Sequence, residues 1–443
     1  MPNSEARTDI DLLIEARWII PVEPAGCVLE HHAVAVNEGR IVDLLPSDAA
    51  RLRYAPKTLR TLGEHVLIPG LINLHAHAAM NLLRGYADDQ PLMRWLNDHI
   101  WPAEHEHVSH EFVRDGTLLA CAEMLRGGIT CFSDMYFFPD AAAEAAIEAG
   151  IRTALGIVVI EFPSAWAADA DQYISRGLAV RDRYKQHPLL HFTLAPHAPY
   201  TVSDASFERL RTLAEQLDLP IHLHIHETRD EVDQSVRQHG MRPIERLRRL
   251  GLIGPNLIGV HAVHLNDDEI ALLAREGASI AHCPTSNMKL ASGAAPVAAL
   301  RTAGINVGLG TDGAASNNRL DLFQEMRQAG LLGKLTSGDA SVLPAEELLH
   351  MATLGGARAL GIDHETGSIR IGKAADLCAI ALDEPETRPC YSPVSHLVYA
   401  AGREHVSDVW VAGSVRVMQG VLLHPHNNDL KARGRLWQNQ VAK

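Results

Sequence analysis

From about residue 66 the chain alternates short apolar runs with longer amphipathic stretches, the pattern of repeated strand-helix units. Eight runs read as strands, at residues 66–77, 129–136, 152–160, 190–198, 220–227, 257–264, 279–287 and 305–313. Helical patterns lie between them, at 111–126, 141–149, 204–217, 267–275 and 296–303, several followed by glycine, a common helix stop. Eight strands that alternate with helices predict a closed parallel (β/α)8 TIM barrel rather than an open sheet. The flanks read differently. Residues 9–65 and about 368–424 carry β-rich alternation with glycine turns, as in HHAVAVNEGRIVDLL and VSDVWVAGSVRVMQG. Neither flank is long enough to be a comfortable domain alone, so the two are expected to pair into one small β-sandwich. The expected organisation is an α/β protein with 1–66 as the N-terminal part of the sandwich, 67–367 as the barrel and 368–443 as the C-terminal part.

Composition narrows the function classes. The 443 residues exceed the roughly 250 of a barrel alone and leave room for the satellite. A net charge of −14, with no lysine and arginine block to offset it, argues against a nucleic-acid partner bound through phosphates. No apolar run approaches the ~18 residues of a membrane span, and the N-terminal MPNSEARTDIDLLIEARWI has no basic region leading into an apolar one, so neither a membrane nor a secretory signal is expected. The six cysteines are scattered without a C-x-x-C pair, which speaks against a disulfide framework and for a reducing, cytoplasmic location. A homo-oligomer remains open. The unusual count is 25 histidines.

In such a barrel the active site forms at the C-terminal ends of the strands. The first strand ends in His75-Ala76-His77, and imidazoles at i and i+2 project to one face, where both can reach one metal ion. The fifth ends in His222-Leu223-His224-Ile225-His226-Glu227, whose three histidines share a face by alternation. His224 is taken as the third ligand because it stands beside the carboxyl group of Glu227 at the strand mouth. Of His222 and His226, one is then expected deeper in the barrel and the other as a hydrogen-bonding neighbour. The eighth strand ends in Gly310-Thr311-Asp312-Gly313, and Asp312 completes a His3Asp set. Such a set with an open position suits one divalent ion, Zn²⁺ by preference, whose bound water is acidified to a pKa of about 7. His261, in GVHAVH, is placed to hold or deprotonate that water, with His264 structural, and Glu227 is suited to general acid and base work. The fourth strand end, LHFTLAPHAPY, offers no lysine to bridge a second metal. The H-x-E and P-C-x-x-C signature of cytidine deaminases is absent.

The motifs PGLINLHAH, HLHIHET, GVHAVHL, AHCPTSNMKL, GLGTDGAASNN and GSIRIGKAADL resemble as a set those of the amidohydrolase superfamily, in its atrazine- and melamine-hydrolase-like deaminase branch, over residues 10–420. They are similar in particular to those of the 5′-methylthioadenosine/S-adenosylhomocysteine deaminases. The resemblance implies hydrolytic deamination of an adenine nucleoside (5′-methylthioadenosine, also S-adenosylhomocysteine or adenosine) to the inosine analogue plus ammonia. It implies that His75, His77, His224 and Asp312 bind the metal, that Glu227 protonates the purine ring, and that His261 and Asp312 manage the attacking hydroxide. It also implies that Glu104, in WPAEHEH of the loop after the first strand, accepts the ribose hydroxyls, and that His197 contacts the purine. A guanine deaminase or s-triazine hydrolase is the alternative, and a ribose-free substrate would leave Glu104 without a use. A non-catalytic scaffold is disfavoured because every ligand position is filled.

The remaining candidates divide by context. Ser286 and Asn287, read as part of the seventh strand, and Ser316 lie near the expected rim, while Trp95 and Trp101 fit either a pocket wall or loop packing. His105, His107 and His110 read as exposed. Arg152 begins the third strand, at the wrong end of the barrel for substrate, and residues 156–173 contain no lysine or arginine to pair a 5′ carboxylate.

Overall fold

The computed structural model describes residues 7–424 and 427–442. Eight parallel strands, β1 (Leu71–Ala76), β2 (Ile129–Asp134), β3 (Arg152–Val159), β4 (Leu190–Pro196), β5 (Ile221–Ile225), β6 (Leu257–His261), β7 (Ser279–His282) and β8 (Asn306–Leu309), pair each with the next in sequence order. The seam between β8 and β1 is closed by other bonds. The Thr311 N–H donates to Asn73 Oδ1 at 2.9 Å, and the Asp312 N–H donates to the His75 carbonyl at 3.0 Å. Gly308 permits this approach, since a Cβ there would sit 2.6 Å from Leu74 Cδ2. The expected helices are present, among them His110–Arg126, Pro139–Ala149, Asp204–Leu217, Asp267–Glu276 and Val297–Thr302. The fourth of these starts with a capping box between Asn266 and Glu269.

Two strand boundaries differ from expectation for physical reasons. The run 66–77 breaks at Gly70 into His65–Pro69, which joins the outer sheet, and β1. Pro69 has no N–H for a ladder, and a Cβ on Gly70 would lie 2.0 Å from Thr130 Oγ1, so the chain hands over from one sheet to the other only with glycine there. The run 279–287 ends as a strand at His282. Pro284 then opens a helix, Pro284–Lys289, so Ser286 and Asn287 are helical.

Both termini build the second sheet, as expected. Its nine strands run Val421–Leu422, Ser414–Met418, Val406–Val411, Leu377–Ala381, His65–Pro69, Thr8–Ile19, Leu29–Asn37 and Arg40–Pro46, with Tyr54–Thr61 also pairing Thr8–Ile19. The N- and C-terminal contributions meet where Leu377–Ala381 pairs antiparallel with His65–Pro69. One face buries Ile14, Val34, Ile41, Leu67, Leu377 and Trp410 together, which fits the small sandwich expected. Among the described residues no helix is long and apolar enough to cross a membrane.

Candidate metal centre and substrate cavity

Four of the eight strand ends bring nitrogen and oxygen donors to one point. His75 lies in β1 and His77 just after it, His224 in β5, His261 at the end of β6, and Asp312 three residues past β8. His75 Nε2 and His77 Nε2 stand 3.3 and 3.2 Å from Asp312 Oδ1, and His224 Nε2 is 3.2 Å from His75 Nε2. Two overlapping groups result, His75/His77/Asp312 and His75/His224/His261, each with its donor atoms within 4.8 Å of one another.

The outer ring nitrogens explain why the inner ones are available. His77 Nδ1 bonds the Met135 carbonyl at 2.6 Å and His224 Nδ1 the His197 carbonyl at 2.7 Å. A carbonyl only accepts, so each Nδ1 carries the proton and each Nε2 keeps a lone pair turned inward. His75 Nδ1 meets His222 Nε2 at 3.1 Å, and His222 Nδ1 meets the Ser133 hydroxyl at 3.3 Å; a hydroxyl accepts as well as donates, and with each Nδ1 as the donor along this relay His75 Nε2 is free as well. His222 therefore is the one of the pair that stands behind His75, deeper in the barrel. His226 does not share the site: its backbone turns left-handed at φ 51°, and its Nε2 accepts from the Ile244 N–H at 3.2 Å. His264 likewise faces away, bonded to the Ser292 carbonyl at 2.8 Å.

Asp312 is itself held. It takes φ 62°, a conformation that aspartate tolerates better than most residues, and its Oδ2 accepts from the hydroxyls of Ser286 at 2.7 Å and Ser316 at 2.8 Å. Oδ1 is left toward the histidines. Burial opposes ionisation of Asp312, but the His75 and His77 bonds hold its carboxyl well below the usual range. Asn287 Oδ1 sits 2.9 Å from His261 Nδ1 and fixes that ring. All three rim residues therefore buttress the cluster. Three convergent imidazole lone pairs and one carboxylate oxygen form a donor set that fits a divalent ion.

A cavity of about 350 Å³ opens onto the cluster and reaches His77, His197, His224, Glu227, His261 and Asp312. Glu227 stands 3.8 Å from His261 Nε2 through Oε2 and accepts from the Ser292 hydroxyl at 3.3 Å, and burial raises its pKa. Glu104 faces the same cavity from the helix Trp101–His107, not from a loop, and the Tyr136 hydroxyl donates to it at 2.6 Å. Burial pushes the Glu104 carboxyl up to about 7, with the Tyr136 bond opposing. His197 is held neutral, since burial drives its pKa down to about 3. Trp95 and Trp101 both line the cavity, so the pocket-wall reading is the right one. His105 is exposed, as expected, although it stands at the cavity wall, whereas the reading of His107 as exposed needs correction: its side chain is only 15% exposed, because their helix lies across the barrel mouth. Tyr136 and Ser292 were missed in the sequence. Tyr136 carried a signal, its place just after β2, whereas Ser292 lies in a loop with none.

The chain belongs to the amidohydrolase family, whose pattern it matches over residues 66–416. It is 45% identical over 435 residues, 98% of each chain, to the 5-methylthioadenosine/S-adenosylhomocysteine deaminase of Teredinibacter turnerae. Among solved structures it is similar to an adenosine deaminase from Xanthomonas campestris with bound zinc, at 50% identity and a TM-score of 0.97 over 99% of this chain and 100% of that one. It also resembles the atrazine chlorohydrolase of Arthrobacter aurescens complexed with zinc, at 25% identity and a TM-score of 0.89 over 96% of this chain and 100% of that one.

Proposed function

We propose that the protein is a metal-dependent aminohydrolase that deaminates 5′-methylthioadenosine, and less readily S-adenosylhomocysteine or adenosine, to the inosine analogue and ammonia. The observation that carries this reading is one cavity holding the His75/His77/His224/Asp312 cluster, the buried acid Glu227 beside it, and the separate carboxyl group of Glu104 braced by Tyr136. A triazine or a free base has no vicinal diol for Glu104. A single ion, Zn²⁺ by preference, would be held by His75, His77, His224 and Asp312, and when bound it acidifies water so that hydroxide is available at neutral pH.

The protein's own groups do the rest. Glu227, whose pKa burial raises, gives its proton to ring N1 and makes C6 electrophilic. His261 and Asp312 orient the attacking water and take one of its protons, which passes to the C6 amine so that ammonia departs, while the other leaves the new C6 hydroxyl as the carbonyl forms and restores the proton on Glu227. Glu104 accepts from both ribose hydroxyls in charge-assisted bonds, and neutral His197 meets the purine.

The 5′ side of the cavity supports the methylthio preference. That side is assigned here to Ile160, Phe162, Pro163, Ser164 and Ala165, which line the cavity after β3, and among the described residues no lysine or arginine lines the cavity. Arg84 is engaged by Glu123, and Arg94 lies 3.6 Å from Asp98. A methylthio group gains roughly 1 kcal/mol or more there from buried apolar area, whereas a carboxylate finds no guanidinium. Ammonia release from purified enzyme of measured metal content tests the reading. 5′-Methylthioadenosine should exceed S-adenosylhomocysteine in kcat/KM. A tenfold or greater preference for the latter overturns the assignment of the 5′ wall, and no ammonia from either nucleoside overturns the function.

A further inference from the structure

We propose that Glu231 is a positioning residue that sets the Glu227 carboxyl group in the cavity by clamping the backbone of residues 226 and 227. The inference rests on the role proposed above for Glu227. Glu231 is the third residue of the helix Arg229–His239, whose first turn is capped by Thr228, with the Thr228 hydroxyl accepting from the Glu231 N–H at 3.2 Å. Thr-x-x-Glu is the spelling of a capping box, in which the glutamate returns to the backbone N–H of the cap residue. Here the side chain reaches further back. Its Oε1 accepts from the His226 N–H at 2.9 Å and its Oε2 from the Glu227 N–H at 2.8 Å, so one carboxylate spans two consecutive peptides.

Those two peptides decide where the β5 end points. The left-handed turn at His226, φ 51°, breaks the alternation that puts His222 and His224 on the inner face. It sends the His226 ring toward Ile244, away from the cluster, and Glu227 into the cavity. A non-glycine residue in this region is strained unless its surroundings hold it. Glu231 holds the N–H groups on either side of the turn, and the Val263 and His264 N–H groups hold the His226 carbonyl at 3.0 Å each.

The helix does not need this arrangement. Glu231 is buried, and among the described residues no lysine, arginine or histidine side chain pairs with it. A buried carboxylate without a cation is unfavourable. Thr228 already caps the helix, so the cost falls on fixing the strand end. Glutamine at this position keeps the size but can accept only one of the two bonds, and its amide would set a donor against the other N–H.

The experiment compares Glu231→Gln, Thr228→Ala, Glu227→Gln and the double variant Glu227→Gln/Glu231→Gln, each as metal-loaded enzyme of measured metal content, on 5′-methylthioadenosine. Glu231→Gln should lower kcat by about tenfold or more while KM changes by less than about threefold. Thr228→Ala, which loosens the helix but leaves the clamp, should keep kcat within about twofold. In the Glu227→Gln background the second substitution should cost nothing further, because Glu231 acts through Glu227. Where Glu231→Gln does not accumulate as folded enzyme, Glu231→Asp carries the same expectation, since its shorter side chain cannot span both N–H groups. A kcat within about twofold of wild type for folded Glu231→Gln, an equal loss in Thr228→Ala, or multiplying losses in the double variant overturns the inference. Full turnover in Glu227→Gln instead overturns the role of Glu227, whatever Glu231→Gln does.

Discussion

Glu104 carries a pH dependence of its own, because burial pushes its carboxyl up to about 7 while the Tyr136 hydroxyl and, less strongly, the nearby His77 favour its ionised form. Only the ionised group accepts from both ribose hydroxyls, so protonation as pH falls through about 7 should lower kcat/KM for nucleosides, mainly through KM. Removing the Tyr136 donor favours the protonated form, and Tyr136→Phe should move that break to higher pH. Profiles of kcat/KM against pH for the two proteins check this, and an unmoved break in Tyr136→Phe would count against Tyr136 as the partner that matters. At Glu227 the question is proton transfer. Glu227→Gln should keep its metal and lose roughly 10²–10⁴ in kcat, because an amide cannot relay the proton. Wild-type turnover in that variant would sink the mechanism. The carboxyl groups at 227 and 312 were legible from their places at strand ends, whereas Glu104 in isolation is spelled like a solvated charge run. The ribose contact proposed for it was suggested only by resemblance, and its partner Tyr136 became visible only through the fold.

The strand β5 shows what a period-two pattern carries. Alternation places His222 and His224 on the inner face, as the sequence says, but it has no information on depth. Depth separates their roles: His224 Nε2 faces His75 Nε2 at 3.2 Å, while His222 supports His75 from behind at 3.1 Å. His224→Ala should therefore lose metal and activity together, and His222→Ala should weaken metal affinity by roughly 10–100-fold without abolishing it. Metal content after dialysis against graded metal buffers distinguishes them, and the reverse order would mean that the register is wrong. Gly70 is the matching case at an element boundary. Gly70→Ala forces a methyl group against the Thr130 side chain, with Oγ1 at 2.0 Å and Cγ2 at 2.3 Å, and overpacking of this kind costs on the order of 1–3 kcal/mol. Denaturant unfolding measures that loss, and an unchanged midpoint would mean that the handover between the sheets relaxes freely. The sequence marked Pro69-Gly70 inside a long apolar run, yet nothing local showed that two sheets share that run.

The whole molecule is tied together at the face of the barrel opposite the site. Arg152, 1% exposed at the start of β3, donates through Nε to Asp376 Oδ2 at 2.9 Å and through Nη1 to Glu365 Oε1 at 3.0 Å, and Asp376 Oδ1 accepts at 2.7 Å from the N–H of Ala412, in the turn between two strands of the outer sheet. Its remoteness from substrate, legible from its place at the start of a strand, acquires a positive meaning here as a clamp between barrel and sandwich. Arg152→Ala leaves a buried carboxylate unpaired and should cost about 3–5 kcal/mol of stability, with turnover per folded, metal-loaded enzyme little changed. A denaturation curve that overlays wild type would show that the clamp is not needed. What the sequence determined by itself is what depends on near neighbours: the eightfold alternation of strands and helices, the glycine stops, the capping signals, and the donors parked at strand ends, since hydrophobic period and turn chemistry are written within a dozen residues. The tertiary structure alone decided which imidazole meets which, that Trp101, His105 and Glu104 fold over the mouth, and that Tyr136, Ser292 and Glu231 hold the acids. Those distances are fixed by barrel closure, which brings Asn73 against Thr311 and His75 against Asp312, pairs whose separation along the chain is too great for any local pattern to encode.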